Sequence, residues 1–293
     1  MSTRARAGVL KTYKLLINGQ FVRSESGRAF EVRTAQGAFL ANVAQASRKD
    51  LRDAVQAARK AQFSWAQRTA YNRGQILYRI AEMLESRREA FEHEIALATG
   101  VSPTDAEREV DAAIDRWVYY AGWSDKWSAL LSTVNPVAMP MHNFTLPEPM
   151  GVVGLVCPDE APLASLTSLL APVIVSGNTA VVILSERYPT VGLSFAEVLE
   201  TSDLPAGVVN LLAGFREELL PHLCAHVEVD ALNLCGVPEE QRAPYEIAAA
   251  ETVKRLHHSP RLTFAEWCSE RAQGLDWIEP FVEMKTVWHP LGW

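Results

Sequence analysis

From Gly151 onward the sequence alternates short apolar runs with segments of helical spacing, and this rhythm restricts the chain more than any other feature. Val152–Cys157, Thr179–Leu184, Val208–Leu212 and Ala231–Leu234 are apolar runs of strand length. Ala164–Val175, Thr190–Ser202 and Glu217–His226 lie between them with helical periodicity. Strands without polar alternation must be covered on both faces, and strands joined through helices run parallel. The expected class is therefore α/β, a parallel sheet flanked by helices. Glu239–His258 reads as one further helix, and Phe264–Gln273 as another.

Upstream, Leu15-Leu-Ile-Asn-Gly-Gln-Phe21 places Asn18-Gly19 between apolar runs, a strong hairpin signal. Three helices are predicted next, over Asp50–Ala66, Tyr71–Thr99 and Asp105–Trp127, with Gly100 placed to stop the second. From Val134 to Pro149, prolines at 136, 140, 147 and 149 suit an edge ribbon or arm better than a central strand.

Composition excludes several classes. Among the 293 residues, 28 Lys and Arg stand against 35 Asp and Glu, a formal charge of −7, which argues against a nucleic-acid groove. Leu163–Val175 is too short and too rich in Ser, Thr and Pro to span a bilayer. Met1–Gly8 is basic but no apolar core follows, so no secretory signal is expected. Cys157, Cys224, Cys235 and Cys268 show no paired spacing and read as reduced thiols, which gives a cytoplasmic expectation.

Pro149-Met-Gly-Val-Val-Gly-Leu-Val-Cys-Pro158, Leu170-Ala-Pro172, Ser176-Gly-Asn-Thr179, and Leu204-Pro-Ala-Gly-Val-Val-Asn210 with Gly214-Phe215 together resemble the nucleotide-binding domain of aldehyde dehydrogenases. The order and spacing agree from Tyr13 to about Gly236, and Glu283-Met-Lys-Thr-Val287 resembles that family's oligomerisation strand. The resemblance implies a Rossmann-like sheet, a helical N-terminal region, a protruding β-ribbon and a C-terminal oligomerisation strand. It divides the chain into 1–133, the ribbon 134–149, the βαβ part 150–258, a linker 259–280 and the strand 281–293. It also implies that the family's catalytic domain, with its cysteine and glutamate base, is missing between Pro260 and Gly274.

Against the family's motifs several positions differ. The family's oxyanion asparagine falls at Glu160 in Pro158-Asp-Glu-Ala-Pro162. An ionised carboxylate only accepts hydrogen bonds, and losing one oxyanion donor costs roughly 10²–10³ in rate. Asp159 and Glu160 read as solvated loop carboxylates, with an acid/base pair as the sharper alternative. The ribose-binding motif becomes Ile183-Leu-Ser-Glu186, so Ser185 and Glu186 persist while the lysine is lost. A charge-assisted hydrogen bond is worth about 1.5–3 kcal/mol, so cofactor affinity drops roughly ten- to a hundred-fold. The phosphate turn keeps Gly236 but carries Val237 and Pro238 in place of hydroxyls, with Glu239 and Glu240 opening a helix. Ser185, Glu186, Gly214 and Gly236 are the remaining candidate NAD contacts. No cofactor, or weak NAD, is expected here, with NAD(P) in a catalytic partner.

Elsewhere, His222 and His226 sit four apart around Cys224, too few ligands for a metal site, so none is expected. His257-His258 read as solvated helix-end residues, and Cys268 as a packing thiol. Four of the eight tryptophans fall at 267, 277, 288 and 293. Val282, Met284, Thr286 and Trp288 alternate with Glu283 and Lys285, giving one apolar and one charged face. With Val287 and with Val137, Met139 and Met141 of the ribbon, they form the expected interface. Phe281–Trp293 is expected to join a sheet of a partner chain, a complete aldehyde dehydrogenase subunit in a hetero-oligomer. The alternatives are an NAD-responsive binding module and an enzyme with a new site near Asp159 and Glu160.

Overall fold

The computed structural model describes residues 11–291; the expectations for Met1–Gly8 and for residues 292–293 lie outside them. Strand β1 (Thr12–Tyr13) leads into the hairpin of β2 (Leu15–Ile17) and β3 (Gln20–Val22). Asn18 and Gly19 both have positive φ, 52° and 70°, the geometry of a two-residue hairpin turn. β4 (Ala29–Arg33) and β5 (Phe39–Ala44) complete a small sheet in the order β1-β5-β4.

Four long helices follow: α1 (Arg48–Ala66), α2 (Ala70–Glu85), α3 (Arg88–Thr99) and α4 (Pro103–Trp123). Ser47 and Asp50 form a capping box on α1, and Gly100 closes α3 in the left-handed conformation. The single helix expected over 71–99 is two. Arg88 bridges the break, pairing with Glu85 at 2.8 Å and with Asp111 of α4, so α3 can lie along α4 at its own angle.

After α5 (Trp127–Leu131) come β6 (Thr133–Asn135) and β7 (Met141–Pro149), then the βαβ region. It runs through β8 (Val152–Val156), α6 (Pro162–Val175), β9 (Thr179–Ile183), α7 (Pro189–Glu200), β10 (Val209–Leu212), α8 (Arg216–Ala225) and β11 (Ala231–Asn233). Every residue of β8, α6, β9 and β10 is buried, which is why their sequence lacks alternation. A three-residue 3₁₀ turn at Glu239–Gln241 precedes α9 (Ala243–Ala250) and β12 (Arg255–His257).

This corrects the long helix expected over 239–258. The chain reverses at Val253, φ +56°, and β12 then pairs parallel with β11, Leu256 opposite Leu232. The alanine run stays helical in α9, and only Arg255–His257 beyond it is drawn to the free edge of β11. The main sheet is seven-stranded, β12-β11-β8-β9-β10-β2-β3, its five β8–β12 strands parallel and the hairpin antiparallel at the edge. His257 and His258 are not helix-end residues: His257 packs edge-on against Phe281 at 5.7 Å, and His258 faces Glu246 at 3.1 Å.

Residues 259–281 carry α10 (Phe264–Trp267) and three 3₁₀ turns, less helix than expected, and they are docked against α4 and α6. Trp267 is fully buried and meets Trp277 edge-on at 5.9 Å. Arg116 of α4 fastens the segment, donating to Gln273 Oε1 at 2.6 Å, to the Trp267 carbonyl at 3.1 Å and to the Ser269 carbonyl. Asn178 Nδ2 donates to the Phe281 carbonyl at 2.8 Å, holding the approach to the last strand.

β13 (Val282–Pro290) pairs antiparallel with β7 of the same chain through nine opposed residues, in the order β13-β7-β6. One edge of this strand is thus taken by β7 of its own chain, a pairing not foreseen in the sequence, because β7 offers a matching edge. Its outer edge has no partner among the described residues. Thr286 bonds Thr145 at 2.9 Å across the ladder, and Lys285 pairs with Glu148 at 3.0 Å. The face read as charged also carries Val287, in a row with Phe144 and Val134, so both faces bear apolar groups. Met284 and Trp288 remain 47% and 53% exposed. Met141 stands opposite Pro290, while Val137 and Met139 lie in the loop joining β6 and β7. No described helix is long and apolar enough to cross a membrane.

Candidate functional site

The carboxyl ends of parallel strands are where α/β sheets bind ligands. Three loops meet there: Pro158–Pro162 after β8, Ser185–Tyr188 after β9, and Gly214–Arg216 after β10. The turn Gly236–Pro238 after β11 closes the crevice. The candidate residues thus converge, but around a partner that sequence reasoning missed, Arg216.

The Arg216 guanidinium donates to Asp159 Oδ1 at 3.0 Å and to the Cys157 carbonyl at 2.8 Å. Ser185 Oγ donates to the same Asp159 oxygen at 2.7 Å, and the Arg187 amide approaches it at 3.4 Å. Asp159 is therefore a half-buried hub and not a solvated loop carboxylate, whereas Glu160 is exposed as expected. Glu186 Oε2 accepts the Arg216 backbone N–H at 2.9 Å. Ile183 is wholly buried between Val156 and Leu212 in the strand ladder, so a lysine there would have to bury its ammonium.

A bound dinucleotide needs donors for its pyrophosphate and acceptors for its ribose. The Gly236 N–H is already bonded to the Val156 carbonyl at 2.8 Å, the Val237 N–H to Leu234 at 2.9 Å and the Gln241 N–H to Pro238 at 2.9 Å. Pro238 has no N–H, and the 3₁₀ turn begins with Glu239 and Glu240, whose charges repel phosphate. Gly236 is needed for packing, since a Cβ there would lie 2.1 Å from the Cys157 carbonyl oxygen. Gly214 is buried against Leu219 and Ala46. Ser185 serves Asp159, one Glu186 oxygen serves Arg216, and Arg216 spans the crevice. These residues do not fit a dinucleotide as they stand.

No thiol is poised as a nucleophile. Burial pushes Cys224, Cys235 and Cys268 up to about 12 and Cys157 higher still, and only a thiolate attacks a carbonyl. His222 and His226 line one cavity with Arg48 and Arg52, and no group of three potential metal ligands occurs among the described residues.

Sequence reasoning also missed Glu109. Its carboxylate lies at the start of α6, where Oε1 accepts the Leu163 N–H at 2.7 Å and the Ala164 N–H at 3.4 Å, while Oε2 has no partner. Burial pushes its pKa up to about 7, against the lowering effect of those two N–H groups. Asp159, Glu160 and Arg187 line the adjoining cleft, and Cys268 approaches from the docked segment. The folded state therefore binds a proton that the unfolded chain releases near 4.5, and stability falls as pH rises from about 4.5 to about 7. Glu109→Gln should flatten that slope, gaining on the wild type by about 1–3 kcal/mol between pH 5 and pH 8. Thermal unfolding of both proteins across that range checks it, and an equal difference at both ends would refute the assignment.

The aldehyde dehydrogenase family model matches residues 21–259. The chain belongs to the aldehyde dehydrogenase family. The mitochondrial benzaldehyde dehydrogenase of Antirrhinum majus is 34% identical over 246 residues, covering 82% of this chain and 45% of that protein. Retinal dehydrogenase 2 of Homo sapiens is 31% identical over 268 residues, covering 88% and 51%. Among solved structures, the NAD+ complex of the Bacillus cereus aldehyde dehydrogenase superposes with a TM-score of 0.79 at 29% identity, covering 85% of this chain and 50% of that one. The chain spans about half the length of these relatives. Family membership accounts for the sheet and its loops, while Arg216 and its partners describe how this member fills the crevice.

Proposed function

We propose that this protein is a non-catalytic aldehyde dehydrogenase-like subunit that assembles with a complete NAD-dependent aldehyde dehydrogenase and supports its oxidation of an aldehyde to a carboxylic acid. The observation that carries the reading is the arm: a three-stranded sheet whose β13 edge has no partner among the described residues and whose two faces present Met284, Trp288 and Val134 to solvent. An edge strand with exposed apolar side chains calls for a partner, and a partner with the family's arm-receiving surface fits it. The crevice closed by Arg216 and the thiols kept protonated by burial support a role without chemistry.

A cofactor titration separates this reading from an NAD-responsive module. Calorimetry of the chain alone is expected to give no dissociation constant below about 100 μM for NAD, since Val237 and Pro238 supply no phosphate donors and Glu186 and Ser185 are engaged. The isolated chain should show no aldehyde-dependent NADH formation. Low-micromolar NAD binding, or steady turnover lost on changing one of the four cysteines, would contradict the proposal.

A further inference from the structure

The start of α1 and the end of α8 flank a cavity of about 680 Å³, separate from the crevice and from the arm. Its walls are mostly carbon, with Leu51 of α1 and Ala225 and Val227 at the end of α8 among them. Arg48, His222 and His226 stand beside these walls. We infer that this cavity binds an alkyl monocarboxylate, its head paired with Arg48 and its chain laid against Leu51, Ala225 and Val227. The inference does not rest on the assembly role proposed above.

The charges around the cavity reduce to one. Lys49 pairs with Glu25 at 3.5 Å, and the same carboxylate accepts from Ser47 Oγ at 3.2 Å. Arg52 is held by Asp53 at 2.7 Å. Of the Lys and Arg residues that line the cavity, Arg48 alone makes no ion pair among the described residues. Burial lowers the pKa of both histidines, and the nearby Arg48 charge lowers that of His222 further. Near neutral pH the imidazoles are therefore uncharged, and Arg48 supplies the one free positive charge beside an apolar wall.

The ligand's chemistry follows from these groups. A planar guanidinium matches the two oxygens of a carboxylate. His226 Nδ1 accepts the Glu228 N–H at 3.2 Å, so in the neutral ring Nε2 carries the hydrogen and can donate to an oxyanion. One free positive charge suits a monoanion better than a phosphate, and carbon walls suit an alkyl chain better than a sugar. A metal ion is disfavoured, because no group of three potential ligands is gathered among the described residues.

The test is a calorimetric titration of the intact chain with sodium octanoate near neutral pH. Saturable binding is expected, with hexanoate weaker by roughly ten-fold for its two missing methylenes. Arg48→Gln removes the charge, and Val227→Asp sets a carboxylate against the alkyl chain. Each should weaken octanoate at least ~10-fold. Both side chains are exposed and Arg48 is unpaired among the described residues, so the melting temperature of either variant should barely move. At equal ionic strength, 1-octanol and inorganic phosphate should each bind at least ~10-fold more weakly than octanoate. Absence of saturable octanoate binding would overturn the inference. So would octanol or phosphate binding as tightly as octanoate, or an affinity within about two-fold of wild type in either variant.

Discussion

Replacing Arg116 with alanine is expected to destabilise the chain by about 3–5 kcal/mol. The guanidinium is almost fully buried and donates to Ser168 Oγ at 3.1 Å as well as to Gln273 and the Trp267 and Ser269 carbonyls. All four are neutral acceptors, so removing the donor leaves buried oxygens orphaned, at about 1–3 kcal/mol each before relaxation. Burial pulls the Arg116 pKa below the ordinary guanidinium value. Losing the donor also frees the segment carrying Trp267 and Trp277, whose rings then reach water. The melting temperature should fall by roughly 6–15 °C, and tryptophan emission should shift to the red at temperatures below the main transition. Arg116→Lys keeps the charge but not the planar fork and should recover only part of the loss. A change below about 1 kcal/mol would show that the segment is held by its tryptophans alone.

The second large effect concerns assembly. Ending the chain after Glu283 should leave the sheet domain folded and abolish the complex with a co-expressed complete aldehyde dehydrogenase. The cut must spare Phe281 and Val282, because the Phe281 carbonyl accepts from Asn178 and the Val282 carbonyl from Arg255 at 2.8 Å. Trp288→Asp is the finer probe. Trp288 is 53% exposed in the free chain, so a carboxylate there costs folding little. In a contact that covers it, the same carboxylate loses apolar burial of about 1.5–3 kcal/mol and must shed its water. Affinity should fall at least ~10-fold while the melting temperature of the chain alone barely moves. Size-exclusion chromatography with light scattering on co-expressed chains reads both. Co-elution of the truncated chain at unchanged affinity would remove β13 from the interface.

Local chemistry made much of the fold readable. Asn18-Gly19 allows one tight turn, unbroken apolar runs such as Thr179–Ile183 must be covered on both faces, and Gly100 at φ +79° stops a helix. These features depend on neighbours within a few residues, so the chain carries them in plain order. What required the tertiary structure depends on distant partners. The Glu239–His258 stretch has helical composition, yet Arg255–His257 became a strand because β11 presented an open edge. Phe281–Trp288 was legible as a strand with unpaired character, but its pairing to β7 followed from a docking of residues 259–281 that no local pattern encodes. At the candidate site, sequence located Ser185, Glu186, Gly214 and Gly236 but gave no sign that Arg216 would cross to Asp159, 57 positions away. Nor did it show that Glu109, an ordinary acid on an amphipathic helix, would be buried against the start of α6. Sequence alone determined the elements whose stability is local, and the long-range ion pairs, orphaned oxygens and sheet edges were decided only when the folded chain brought remote residues within bonding distance.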